Sequence, residues 1–282
     1  MSRSATPALR TRPNGHDGVV ARATPAVRTA FLDHPTPLAF AHRGYSPDGF
    51  ENTFRAFAAA IDLGFRYVET DVRASADGVA VTFHDARLDR LTDRQGRVHD
   101  LPWSELRRAR IGGYEPIPTL EEVLDAWPEL RLNIDVKDPS AVSACARAID
   151  RTRAHDRVCI ASFSDRRRRA VLRRLSAPVV TSGGRQTVAR FRGASALRLS
   201  ALVTRLLREV DCLQVPVRVG GVQLVTPRTI AATHATGRHL HVWTVNNADE
   251  MERALDLGAD GLMSDRAEVL RDVLRRRGFA LS

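Results

Sequence analysis

The stretch PLAFAHRGYSPDGFENTFRAFAAAIDLGFRYVETDV, residues 37–72, reads as one strand–helix–strand unit. A short apolar run, PLAFAH (37–42), gives way to a polar turn. Phe54, Phe57, Ala58 and Ile61 then recur at helical spacing behind Asn52 and Thr53, and Gly64 stops the pattern. YVETDV (67–72) follows as the next strand. A strand, a crossover helix and another strand is the repeating unit of a parallel sheet.

The same rhythm continues outward. Further strand candidates are VAVTFH (79–84), LRLNIDV (130–136), VCIASF (158–163), PVVTS (178–182), CLQVP (212–216), HLHVWTV (239–245) and GLMS (261–264). Helical patterns lie between most of them: Val123, Leu124 and Trp127 behind Thr119; Met251, Ala254 and Leu255 behind Asp249; then Val269, Leu270, Val273 and Leu274. Alternating strands and helices over residues 37–282 predict an α/β fold, a closed (β/α)8 TIM barrel. Nine candidates compete for eight places, and 178–182 is the weakest. The link RASADG (73–78) is too short for a helix. Extended, it reaches about 20 Å, which suffices for another parallel strand. The alternative is an antiparallel hairpin, which would be expected to put His84 at the wrong end of the barrel.

Composition sets the class. The 282 residues carry 43 Lys plus Arg against 33 Asp plus Glu, a net charge of +10, and 43% are hydrophobic, enough for a sizeable core. No apolar run is long enough to span a membrane. Cys145, Cys159 and Cys212 form neither a disulfide framework nor a cysteine-rich zinc site, which fits a reducing, cytoplasmic location. The arginines are spread along the chain without interleaved aromatics, so solvated helix faces are expected and no nucleic-acid partner is. Residues 1–36 are rich in Ala, Thr, Pro and Arg, with no hydrophobic periodicity and no apolar h-region, so a secretory signal is not expected. They are expected to be a disordered tail, dispensable for catalysis and for stability.

Ionisable residues gather where the strands end. PLAFA is followed by His42 and Arg43. Glu69 and Asp71 stand two apart near the end of YVETDV, so strand alternation aims both at one face. VAVTF is followed by His84 and Asp85, and LRLNI by Asp135 with Lys137 two residues on. Any one of these has a plain structural reading, such as a hydrogen-bonded histidine or a solvated carboxylate. Four strands ending alike are harder to dismiss, since catalytic groups in barrels project from the C-terminal strand ends. Glu69, Asp71 and Asp135 are hard oxygen donors suited to one divalent cation, Mg²⁺ or Ca²⁺, with Mn²⁺ a further candidate. His42 and His84 can exchange protons near neutral pH. Arg43 and Lys137 can hold a phosphate oxyanion, and Lys137 is the only lysine in the chain. Together they suit phosphodiester cleavage.

These residues fall in ordered motifs: AHRG (41–44), ENT (51–53), VETDV (68–72), FHD (83–85), LDRLT (88–92), IPTLEEVL (117–124), NIDVK (133–137), VWTVN (242–246) and GADGLMSD (258–265). On them the chain resembles the glycerophosphodiester phosphodiesterase family over about residues 37–270. The resemblance implies a metal-dependent TIM barrel that hydrolyses glycerophosphodiesters to an alcohol and glycerol 3-phosphate. It makes His42 and His84 the acid/base pair, and Glu69, Asp71 and Asp135 the metal ligands. Arg43 and Lys137 become phosphate contacts, Trp243 a wall for the glycerol, and Glu51 and Asn52 supports behind the site. Residues from about 86 to 116 correspond to the family's small insertion after the third strand. Two departures stand out. Asp135 occupies a position where the family usually has Glu, and Phe50 stands before ENT where Pro is common.

The implied partner is a small-molecule glycerophosphodiester, with no stable membrane anchor; the sequence sets no oligomeric state. A lysophospholipase D- or C-like activity on the same barrel remains an alternative, although the sequence shows no exposed apolar rim to receive a membrane-bound substrate. A third reading is a catalytically degenerate anion-binding protein.

Overall fold

Side-chain alternation along the strands sorts the apolar residues into two layers. Ala39, Ala41, Val68, Val72, Leu132, Ile134, Val158 and Ile160 face outward and pack under the helices. Leu38, Phe40, Tyr67, Cys159, Val180, Cys212 and Met263 point inward and fill the barrel's interior. The computed structural model describes residues 30–35 and 37–281. Eight parallel strands close the barrel in chain order: β1 (Leu38–His42), β2 (Tyr67–Ala74), β3 (Arg131–Val136), β4 (Val158–Ala161), β5 (Val180–Gly183), β6 (Cys212–Pro216), β7 (His239–Trp243) and β8 (Gly261–Ser264). Closure is made by β1, which pairs with β8 on one side and β2 on the other.

Helix starts follow local chemistry. The side chain of Thr53 accepts from Ala56 N at the head of helix Phe54–Asp62. Thr119 and Glu122 form a reciprocal capping box before helix Leu120–Ala126, each satisfying an orphan amide. At the first turn after β1, Gly44 has φ +82°, and a Cβ there would meet the Ala56 backbone at 2.7 Å. Only glycine lets that helix sit so close to the strand end.

The surplus strand candidate is 79–84, not 178–182. The latter contains most of β5, whereas Ala80–Thr82 is a short ninth strand that pairs antiparallel with the end of β2. The hairpin alternative therefore holds, yet its expected consequence for His84 does not. β2 overshoots the rim, pairing Val72, Arg73 and Ala74 with Thr82, Val81 and Ala80. The chain thus turns above the barrel and descends, and Phe83 N donates to Asp71 O at 2.9 Å. His84 returns to the same rim as Asp71.

Residues 86–116 form a small lobe: a short helix, Trp103–Leu106, and a hairpin of Arg110–Ile111 with Glu115–Pro116. The lobe's Leu88, Val98, Leu106, Ala109 and Ile111 form a small core with Val81, Phe83 and Ile117 from the flanking segments. The reading of 1–36 as a tail needs a correction at its end. Residues 1–29 and Thr36 lie outside the described residues, but Ala30–Leu32 form a 3-10 turn whose Phe31 is fully buried in the barrel interior.

Candidate active site

A cavity of about 960 Å³ opens at the C-terminal rim. His42, Arg43, Glu69, Asp71, His84, Asp135, Lys137 and Trp243 all line it, so eight residues singled out from sequence share one site. Glu51 and Asn52 stand directly behind. Glu51 Oε1 accepts from Arg43 Nη1 at 3.0 Å. Asn52, at φ +60°, turns its side chain inward: Nδ2 donates to Asp71 Oδ2 at 3.0 Å, and Oδ1 accepts from the Thr70 hydroxyl at 2.7 Å. Asparagine tolerates that left-handed backbone better than most residues. Trp243 meets Phe163 edge to face at 5.6 Å, forming an aromatic side of the cavity.

Each histidine is held from behind by a carboxylate. His42 Nδ1 lies 2.5 Å from Asp265 Oδ1, while its Nε2 is 3.6 Å from Glu69 Oε2. His84 Nδ1 lies 2.7 Å from Asp85 Oδ1. An ionised carboxylate accepts the Nδ1 proton and leaves Nε2 free for chemistry. Asp85 is held down to about 2, chiefly by hydrogen bonds from Arg90, so it stays ionised. Arg90 also donates to Glu51 Oε1 at 2.9 Å. A chain of polar contacts, Arg43–Glu51–Arg90–Asp85–His84, thus links the two sides of the rim. Burial works against protonation of His42, but Glu69 and the Asp265 hydrogen bond outweigh it and raise the imidazole's pKa.

The acidic floor is electrostatically tense. Burial, then the neighbouring Asp71 charge, pushes Glu69 up to about 7. Asp71 is also buried, but Lys137 and Arg43 more than offset that and bring its pKa below the ordinary range. Lys137 Nζ sits 2.6 Å from Asp71 Oδ1 and 2.7 Å from Asp135 Oδ2, and those carboxylates raise its pKa against the pull of burial. The ammonium bridges the two acids.

The described residues contain no group of three or more His, Cys, Asp or Glu side chains already drawn around one point as a metal requires. The donor chemistry nevertheless fits a hard divalent cation. Glu69 Oε2 and Asp135 Oδ1 are buried oxygens without a hydrogen-bond donor, Asp71 Oδ1 faces only the Lys137 ammonium, and a carboxylate driven to about 7 is one that an added positive charge would keep ionised.

Sequence reasoning quoted Asp85 and Asp265 within motifs but gave them no role. The signal for Asp85 was its adjacency to His84; for Asp265 it was an acid at the end of β8, the strand that closes onto β1. Phe163, Arg185 and Gln214 also line the cavity and were missed. Gln214 Nε2 donates to Asn133 Oδ1 at 2.8 Å across the barrel.

Residues 42–269 match the model of the glycerophosphoryl diester phosphodiesterase family. The chain is 45% identical over 249 residues to "Probable glycerophosphodiester phosphodiesterase 2" of Mycobacterium tuberculosis, covering 88% of this chain and 94% of that protein. It is 28% identical over 270 residues to a lysophospholipase D of Mus musculus, covering 83% and 84%. In fold it resembles an Oleispira antarctica phosphodiesterase solved with the product sn-glycerol-3-phosphate, with a TM-score of 0.70, 22% identity and coverage of 85% and 97%. A match spanning most of the barrel, on a rim carrying two carboxylate-backed histidines, leads to one conclusion: the chain belongs to the glycerophosphoryl diester phosphodiesterase family and is a phosphoric diester hydrolase.

Proposed function

We propose that this enzyme hydrolyses water-soluble glycerophosphodiesters to an alcohol and glycerol 3-phosphate, with His42 and His84 exchanging the protons. The observation that carries the reading is the paired arrangement of the histidines, each lining the cavity with Nδ1 engaged by a carboxylate. One Nε2 takes the proton of the attacking oxygen, and the other returns a proton to the departing alkoxide. Attack by water and attack by the substrate's own glycerol 2-hydroxyl, through a cyclic phosphate, use the same pair. Arg43 and Lys137 place two cations beside the phosphoryl oxygens and offset the charge that builds there. Trp243 and Phe163 shape the wall against which the glycerol carbons rest.

Glu69, Asp71 and Asp135 would hold the divalent cation, Mg²⁺ or Ca²⁺. When bound, it supplies Lewis-acid stabilisation of the phosphoryl oxygens. With Asp135 one methylene shorter than the family's usual Glu, the cation would sit nearer that strand end or reach it through a water. The relative from Mycobacterium tuberculosis and the product named in the Oleispira antarctica structure support this substrate class.

The test is a product assay on a panel of glycerophosphodiesters, with and without EDTA. Stoichiometric glycerol 3-phosphate, lost on chelation and regained with Mg²⁺ or Ca²⁺, is the expected result. Turnover confined to lysophospholipids would favour the alternative lysophospholipase D activity. That second reading draws on Val188, Ala189, Pro216 and Leu224, which make the outer cavity wall apolar, and on the mouse relative.

A further inference from the structure

The apolar wall does not stop at the cavity mouth. After β6 the chain makes a two-stranded hairpin, Arg218–Val219 against Val222–Gln223. Gly220 and Gly221, at φ +51° and +81°, supply the positive dihedrals that a tight two-residue turn demands. Val219 and Val222 are directly opposite in register, so both side chains project from one face of the hairpin. They are 56% and 51% exposed. Val219 also lines the cavity beside Val188, Ala189 and Leu224, which makes the apolar surface continuous from the site to the tip. Phe163, 38% exposed, adds a ring on the neighbouring loop.

Cations frame this apolar ridge. Arg185 lies over the Phe163 ring at 4.6 Å. Arg192 Nε donates to Gln223 O at 3.5 Å, tying the helix Arg185–Ala196 to the hairpin, and Arg218 stands exposed on the hairpin itself. None of the three takes part in the ion pairs found among the described residues. The segments 162–166, 184–192 and 217–224 contain one acid, Asp165. It is buried and fully engaged, accepting from Gly184 N, Gln186 N and Thr187. Apolar side chains held in water beside unneutralised guanidinium groups match the two layers of a lipid surface: an acyl boundary under a sheet of phosphates.

We infer that this rim docks reversibly on an anionic lipid bilayer, with Val219 and Val222 entering the headgroup–acyl boundary while Arg185, Arg192 and Arg218 meet lipid phosphates. Docking turns the cavity mouth toward the membrane, so water-soluble diesters released at the bilayer surface reach the site directly. The contact is a weak one, because two valines and a few arginines provide neither a span nor a lipid anchor.

Flotation of the full chain with vesicles tests it. Vesicles of phosphatidylcholine containing one third phosphatidylglycerol should bind the protein at low salt, and pure phosphatidylcholine should bind much less. Arg218→Glu with Val222→Asp should lower partition at least tenfold. Neither residue lines the cavity, so turnover of a water-soluble glycerophosphodiester should stay within twofold, which also verifies folding. A milder Val222→Ser should give an intermediate loss. Arg275→Glu, on the exposed face of the C-terminal helix, controls for net charge. Failure of the wild type to bind the anionic vesicles, equal binding by the hairpin variants, or a loss from Arg275→Glu equal to that from the hairpin double variant would each overturn the docking surface. So would retention on single-stranded DNA without any vesicle binding.

Discussion

At the scale of single residues, the site depends on two hydrogen bonds that are easy to miss. On the proposed mechanism, replacing His42 or His84 by Ala should lower kcat by about 10²–10⁴, the usual span for a lost general acid or base, with little change in affinity for the proposed divalent cation. Steady-state kinetics beside metal titration checks both halves. Asp265→Asn is a finer probe. It keeps the shape and the 2.5 Å neighbour of His42 but removes the charge that holds the proton on Nδ1. The expected result is a fall in kcat with KM preserved, and a pH–rate profile whose limb shifts toward lower pH as the imidazole loses its supporting carboxylate. An unchanged profile would mean that Asp265 only packs. Lys137→Met should lower kcat through lost oxyanion stabilisation, and Lys137→Arg should not restore it, because a planar fork replaces a compact charge between Asp71 and Asp135. The site residues were legible because ionisable groups at strand ends are conspicuous, and Lys137 more so as the sole lysine. Their partners were less so: Asp265 lies 223 positions from His42 and meets it only because β8 closes on β1.

At the scale of elements, the sequence rhythm contains all eight barrel strands among nine candidates, but it points to 178–182 as the surplus one where the surplus is 79–84, and that error comes from one connection. RASADG is short enough for a hairpin and long enough for an extended crossover, so length alone could not decide between them. The overshoot of β2 decides it, because its end, Val72 to Ala74, pairs antiparallel with Ala80–Thr82. The lobe over 86–116 was recognised by family likeness, but its small core was not, since its apolar residues carry no single periodicity. The turn into β8 illustrates how one acid can tie elements together. Asp260 Oδ2 lies 2.8 Å from both His234 Nε2 and Leu240 N. Burial raises its pKa, but these hydrogen bonds outweigh that and bring it from 3.8 to about 2. A depressed carboxylate adds stability that is fully present above its unfolded value and is lost as pH falls from about 4 toward 2. The size is about 2 kcal/mol, given about 1.4 kcal/mol per pKa unit. Asp260→Asn should therefore lower stability by that amount at pH 7, and the gap from wild type should narrow in urea titrations carried out below pH 3.

At the scale of the whole molecule, the question is what closes the barrel's lower end. The parallel strands leave an N-terminal mouth whose inner surface includes Leu38, Phe40 and Tyr67. Phe31 fills it. Its ring meets Tyr67 edge-on at 5.2 Å and lies 6.5 Å from Phe40, and the Tyr67 hydroxyl donates to Phe31 O at 2.6 Å. The same burial drives the Tyr67 phenol up to about 12, as expected for a hydroxyl shut away from water. A segment expected to be expendable because it lacks apolar periodicity thus supplies one apolar side chain at a critical point, a contribution that pattern reading does not register. Phe31→Ala should destabilise the fold by about 3–5 kcal/mol, the range for emptying a buried aromatic site. At about 2–4 °C per kcal/mol for a chain of this size, the melting temperature should fall by about 6–20 °C. A chain beginning at Pro37 should lose at least as much, since Tyr67 also loses its acceptor, whereas a chain beginning at Ala30 keeps the plug. Well below the melting temperature all three should turn over a soluble diester at near wild-type rates, because Phe31 and the catalytic rim occupy opposite ends of the barrel. Equal melting temperatures for the chains starting at Ala30 and Pro37 would show that the mouth tolerates water and that the plug adds nothing.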